Sequence, residues 1–132
     1  YFHERSALNT VEKEIFDHGN TKEDDIEIKY EKTKTINDII EKSIYKNDKI
    51  NFMSIDIENH EYEALKNFDF KKYNLDLIIT ECHDLSQKKV EIYNHNIDFI
   101  QTHKVYKLLN ENNYKLINWV NSDLVFCRID FS

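Results

Sequence analysis

Asp56 and Glu58 stand two residues apart at the end of the apolar run 50–57, and Glu81 and His83 stand two apart at the end of a second run, Leu77, Ile78 and Ile79. Carboxylates so placed can orient or deprotonate a hydroxyl, and an imidazole beside them can exchange a proton near neutral pH. Residues i and i+2 of a strand face the same way, so Asp56 and Glu58 are expected to project together. With the two runs as neighbouring parallel strands, Asp56, Glu58, Glu81 and His83 would meet at the carboxyl rim of a sheet, where open α/β folds bind their ligands. Carboxylates gathered that closely repel one another, and a cation, a helix start or a proton must offset at least one. The spacing of His60 and His83 among the acids fits no diagnostic metal pattern, and no metal is expected. His60 is expected to begin a helix. Cys82 has no helix start or base nearby in sequence to activate it and is expected as a core thiol. Glu61 and Glu63, like Lys71 and Lys72, are expected on a solvated helix face.

The elements that must position these residues are marked by few of the usual breakers, because the chain has no proline and a single glycine, Gly19. Asparagine tolerates the left-handed conformation better than most residues, so Asn59 and Asn113 are expected to stand in for glycine at sharp turns. Ile26, Ile28 and Tyr30 alternate with charged residues as in a half-buried strand. Thr35 with Asp38 then offers a capping signal for a helix through Ile36, Ile39 and Ile40. A strand at 50–57 and a helix at 60–68, with Tyr62, Leu65 and Phe68 on one side, lead through Phe70 and Tyr73 to the second apolar strand. The continuous Leu77, Ile78 and Ile79 suggest a strand covered on both faces.

Beyond it, Ser86 is expected to cap a helix containing Val90 and Tyr93, and Thr102 another through Val105, Leu108 and Leu109. Two strand-like runs at 114–120 and 124–129, joined by Asn121, Ser122 and Asp123, read as an antiparallel hairpin. Trp119 and Tyr114 are expected to pack there. The order describes an α/β fold, a partial sheet of parallel strands with a C-terminal antiparallel hairpin. Residues 1–25 are expected to be irregular and 26–132 to form the α/β domain.

The formal charge of −7 opposes general attraction to nucleic acid, which needs a concentrated basic surface. No run is long and apolar enough to span a membrane, and the first ten residues lack the apolar centre of a signal peptide. Cys82 and Cys127 both lie in apolar stretches and are expected as unpaired thiols of a cytoplasmic, reducing compartment.

In sum, the segments TINDIIEK, INFMSIDIENHEYEALKNFDF, LDLIITECHD and YKLLNENNYKLINWVNSDLVFCRID, across residues 35–130, resemble the FkbM-type methyltransferases. The strand-turn motif I-D-x-E-G-x-E of that family is matched by Ile55, Asp56, Glu58 and Glu61, with Asn59 in the glycine position. The late helix, turn and strand are matched with Asn113 and Tyr114, and SALNT at 6–10 is similar to the region that precedes this part in some members. The resemblance implies a Rossmann-like domain that transfers a methyl group from S-adenosylmethionine to a small-molecule hydroxyl, commonly of a sugar or natural product. It also implies a Gly-rich cofactor loop after the first strand; no such sequence is present, and by the order of its elements the chain is expected to correspond to the carboxyl-terminal half of the domain. The competing expectation is a noncatalytic, methyltransferase-derived interaction or scaffold module. In that reading the edge of the apolar central strand is expected to be covered by a second copy or a partner chain.

Overall fold

A computed structural model describes residues 32–82 and 97–131, which fall almost entirely within the compact unit Lys34–Ser132. The expected strand at Ile26 to Tyr30, the helix capped by Ser86, and His83 lie outside the described residues.

Helix α1 (Ile36–Lys42) starts where the Thr35 hydroxyl accepts the Asp38 N–H at 3.0 Å, the cap read from the sequence. Its i, i+4 pair Ile36 and Ile40 packs against the core, whereas Ile39 is exposed. Strand β1 (Phe52–Ile55) follows, then α2 (Glu61–Leu65), α3 (Phe70–Tyr73) and β2 (Leu77–Glu81). The α2–α3 link is held to α1 through the Asn37 amide, which donates to the Asn67 carbonyl at 2.9 Å and accepts from the Asp69 N–H at 3.2 Å. Helices α4 (Ile97–Thr102) and α5 (Lys104–Glu111) precede the hairpin β3 (Tyr114–Val120) and β4 (Asp123–Arg128). One expectation is corrected here: Thr102 closes α4, a helix the sequence does not mark, and the cap of α5 is His103, whose Nδ1 accepts the Val105 N–H at 3.4 Å.

The sheet order is β1-β2-β4-β3. β1 and β2 are parallel, with Phe52 opposite Leu77 and Ile55 opposite Thr80, and β4 inserts antiparallel to both β2 and β3. One reversed strand in an otherwise parallel set is the arrangement the sequence implied. A register shift between Leu116 and Asn118 marks a bulge in β3.

One buried cluster organises the unit. From the sheet come Ile55, Ile78, Leu124, Phe126 and Tyr114, and from the helices come Leu65, Phe70, Ile100, Val105 and Leu109. β2 alternates, with Ile78 and Thr80 buried and Leu77 and Ile79 only half-buried, so the continuous apolar run is not the fully covered strand expected from it. On the face shared with Leu77 and Ile79, Phe52 is 50% exposed and Val125 half-buried. The Tyr114 hydroxyl donates to the Leu75 carbonyl at 2.8 Å, and burial pushes its pKa up to about 12. Asp76, also buried, pairs with Lys49 at 2.9 Å and Arg128 at 3.3 Å, pinning the start of β2 to the end of β4.

Asn59 and Asn113 have φ of 71° and 66°, the left-handed geometry expected of glycine substitutes, and Asn74 and Asn121 do the same work at two further turns. Asn121 sits in the tight turn that leads β3 into β4 and gives it the twist a hairpin needs. Cys82 and Cys127 are both buried, and no disulfide joins them.

Candidate active site

Parallel pairing puts the carboxyl ends of β1 and β2 side by side, and Asp56 and Glu81 stand at those ends. Each strand delivers its acid because an apolar run stops there and the chain turns toward solvent. Their meeting confirms the rim geometry expected from the two runs for Asp56 and Glu81. Glu58 reaches the rim differently. β1 ends at Ile55, and Glu58 lies in the following turn at φ 56°, so strand alternation does not orient it. Its negative charge nevertheless acts on Asp56. Two successive left-handed residues, Glu58 and Asn59, reverse the chain between β1 and α2.

Glu61 departs most from its expected place. It is the first residue of α2 and only 3% exposed, so it is no part of a solvated face. One carboxylate oxygen accepts the Ile57 N–H at 2.9 Å, which satisfies a loop amide immediately before the left-handed pair. Glu63, by contrast, is exposed and paired with Lys66, as a solvated face requires. The signal for Glu61 was present in the sequence as the last position of the strand-turn motif, but charge and helical position pointed outward.

Asp56, Glu61 and Glu81 each offer an oxygen within 4.8 Å of the others. Three hard oxygens so disposed have the chemistry to hold a divalent cation. Protonation offsets the same repulsion. Partial burial first, then the hydrogen-bonded carboxyl of Glu81 and its charge, then the charges of Glu58 and Glu61, push the Asp56 carboxyl up to about 6. Asp56 itself stays open to solvent, so a ligand can reach it. Glu81 is steadied from the hairpin, where the Ser122 hydroxyl donates to its Oε1 at 3.2 Å and the Ser122 carbonyl accepts the Cys82 N–H at 2.8 Å. Ser122 was read only as a turn residue, because nothing local in the sequence shows that β4 would bring the turn alongside β2. Asp123 lies opposite Glu81 in the ladder and adds a further acid to the rim.

The raised Asp56 pKa has a stability consequence whose sign is fixed by linkage. The folded state holds this proton more tightly than the unfolded chain, so the group's contribution to stability is greatest below pH 4 and declines as pH rises through about 6. Urea unfolding midpoints measured between pH 4 and 8 should show Asp56→Asn falling less steeply than wild type. Equal slopes would contradict the shared-proton arrangement.

At the opposite end of β4, a cavity of about 280 Å³ is lined by Phe70, Asn74, Tyr114 and Arg128 among others. Its charges balance, Lys71 and Arg128 against Glu111 and Asp130, and Arg128 is already engaged by Asp76 and Asp130.

The Methyltransferase FkbM domain model matches residues 3–116 of the 132. The chain belongs to the FkbM methyltransferase family. The match begins well before the motifs at 35–130 and takes in the first segment of the chain, then stops inside β3. No significant match was found among curated proteins or among solved structures. Asp56, Glu58 and Glu61 fall within the matched residues, just after β1, in the turn and at the start of α2, beside a sheet with a parallel pair and an antiparallel hairpin. Among the described residues, no helix is long and apolar enough to cross a membrane.

S-adenosylmethionine is the donor this family implies. A nucleotide cradle in such a fold needs backbone that approaches the ligand without a Cβ in the way. The described residues contain no glycine, and all five of their left-handed positions carry side chains. They do not form a donor cradle of that kind.

Proposed function

We propose that this chain supplies the acceptor side of an FkbM-type, S-adenosylmethionine-dependent O-methyltransferase with a Rossmann-like fold. Its acceptor is a small-molecule hydroxyl, of a sugar or a related natural product. The observation that carries this reading is the convergence of Asp56, Glu61 and Glu81 at the carboxyl ends of two parallel strands in a methyltransferase-family domain. A hydroxyl must lose its proton as its oxygen is methylated. Asp56, solvent-accessible and raised toward neutrality, is the group that takes it. Glu81, held by Ser122, orients the hydroxyl and stabilises the proton once it is on Asp56. Glu58 stands at the turn beside them, and His83, outside the described residues, is proposed as a second proton-exchanging group. The chain's own contribution is thus positioning and proton acceptance.

The donor is assigned to glycine-bearing strands of the family domain that these 132 residues, with Gly19 alone, do not supply. Those strands would also cover the open side of β1, which pairs with β2 alone among the described residues and leaves Phe52 half exposed. The competing reading, a noncatalytic module that uses this edge to bind another chain, is favoured by the lack of a glycine cradle among the described residues. Mass-spectrometric detection of methyl transfer from S-adenosylmethionine to hydroxylated sugars separates the two. Methylated product lost on Asp56→Asn supports the enzyme, and transfer that ignores Asp56 removes the site assignment.

A further inference from the structure

We infer that Glu61 is a positioning residue, a latch that holds the 56–60 turn so that Asp56 is presented to Glu81; this deepens the acceptor-side reading above and rests on it. Four observations converge. Glu61 is 3% exposed, a burial that a charged-type side chain tolerates only with a specific partner. Its oxygen accepts the Ile57 N–H at 2.9 Å, reaching back four residues from the first turn of α2. The two residues between that amide and the helix cap, Glu58 and Asn59, are both left-handed, a combination that costs free energy at non-glycine positions and persists only where the surroundings enforce it. Lastly, a Glu61 oxygen lies within 4.8 Å of oxygens on both Asp56 and Glu81.

The latch joins these facts into one device. Ile57 is bonded through its N–H to Glu61, and Asp56 is the residue immediately before it. Fixing the Ile57 peptide therefore fixes the direction in which the chain leaves β1, and with it the backbone that carries Asp56. The other end of the latch is anchored because α2 inserts Leu65, fully buried, into the core. Displacing Glu61 frees the turn to relax from its left-handed pair, and Asp56 then loses its fixed approach to Glu81. Glu61 acts on the acceptor through the turn and makes no contact with it.

Hydrogen exchange of the Ile57 amide, with the carboxyl ¹³C shift of Asp56 at one fixed pH, tests the latch in the folded chain without any acceptor. Glu61→Ala should speed Ile57 exchange by roughly ten- to a hundredfold, the loss expected for a buried hydrogen bond, and move the Asp56 resonance. Exchange at Ile78 in β2 should stay unchanged. Glu61→Gln keeps an oxygen acceptor of the same reach and should restore most of the Ile57 protection. Unchanged Ile57 exchange in Glu61→Ala would overturn the latch. So would Glu61→Gln exchanging as fast as Glu61→Ala, since the acceptor oxygen would then not be what holds the turn. Because neither readout requires methyl transfer, a failed latch and a failed acceptor-side assignment are told apart: the second appears as methylation that ignores Asp56 while the Ile57 result stands.

Discussion

Asp56→Asn is expected to lower methyl transfer to the acceptor hydroxyl by about 10²–10⁴-fold, the usual contribution of a positioned general base. The amide keeps the shape of the carboxyl and removes its ability to take a proton. It also removes one of the charges that crowd the rim, so the folded state should be no less stable than wild type near neutral pH. Loss of rate without loss of fold is therefore the signature. The pH dependence provides a second handle: in the wild-type protein the rate should rise with pH through about 6 as Asp56 loses its proton, then level off. Steady-state assays with paired circular dichroism spectra check both parts. A variant that retains near-normal turnover would show that the proton leaves by another route.

Phe126→Ala should be the most disruptive of the core truncations. Phe126 is fully buried and lies opposite Ile78 on one side and Leu116 on the other, so it spans the centre of the sheet. Its ring also meets Tyr106 of α5 at a centroid distance of 5.9 Å, which ties the sheet to its covering helix. Truncation removes the transfer free energy of the ring and leaves a cavity that rigid strands on both sides cannot close. The expected cost is about 3–5 kcal/mol, read as a lowered urea midpoint with little change in slope. Val125→Ala, one residue away on the half-buried face, should cost much less. Similar costs at the two positions would mean that the core does not lie on the Phe126 side of the sheet.

The sequence made the frame legible because its local signals agreed with the tertiary outcome. Thr35 caps α1 as its side-chain chemistry suggests, Asn59 and Asn113 take the left-handed turns, and the Asn121 to Asp123 segment closes a hairpin. The site was legible in part. Asp56 and Glu81 follow from apolar runs that end in acids, and parallel pairing brings them together. Glu61 was misread because a carboxylate at a helix start is usually solvated, and its burial depends on the Ile57 amide and on neighbours from other elements. Ser122 escaped notice for the same reason, since only the insertion of β4 beside β2 brings that turn to Glu81. Glu58 carried a strand-period argument past the end of its strand, where the turn conformation takes over. The edge exposure of Phe52 and the half-buried Leu77 and Ile79 likewise depend on what covers the sheet, which no pattern within the strand encodes.

The most direct test of the central claim is the titration of the Asp56 side-chain carboxyl by ¹³C NMR between pH 3 and 9. The rim geometry predicts a midpoint at about 6, falling toward the ordinary aspartate value when Glu81 is replaced by Gln. A wild-type midpoint near 4, indifferent to Glu81, would show that the two carboxyls do not meet and would remove Asp56 as the proton acceptor.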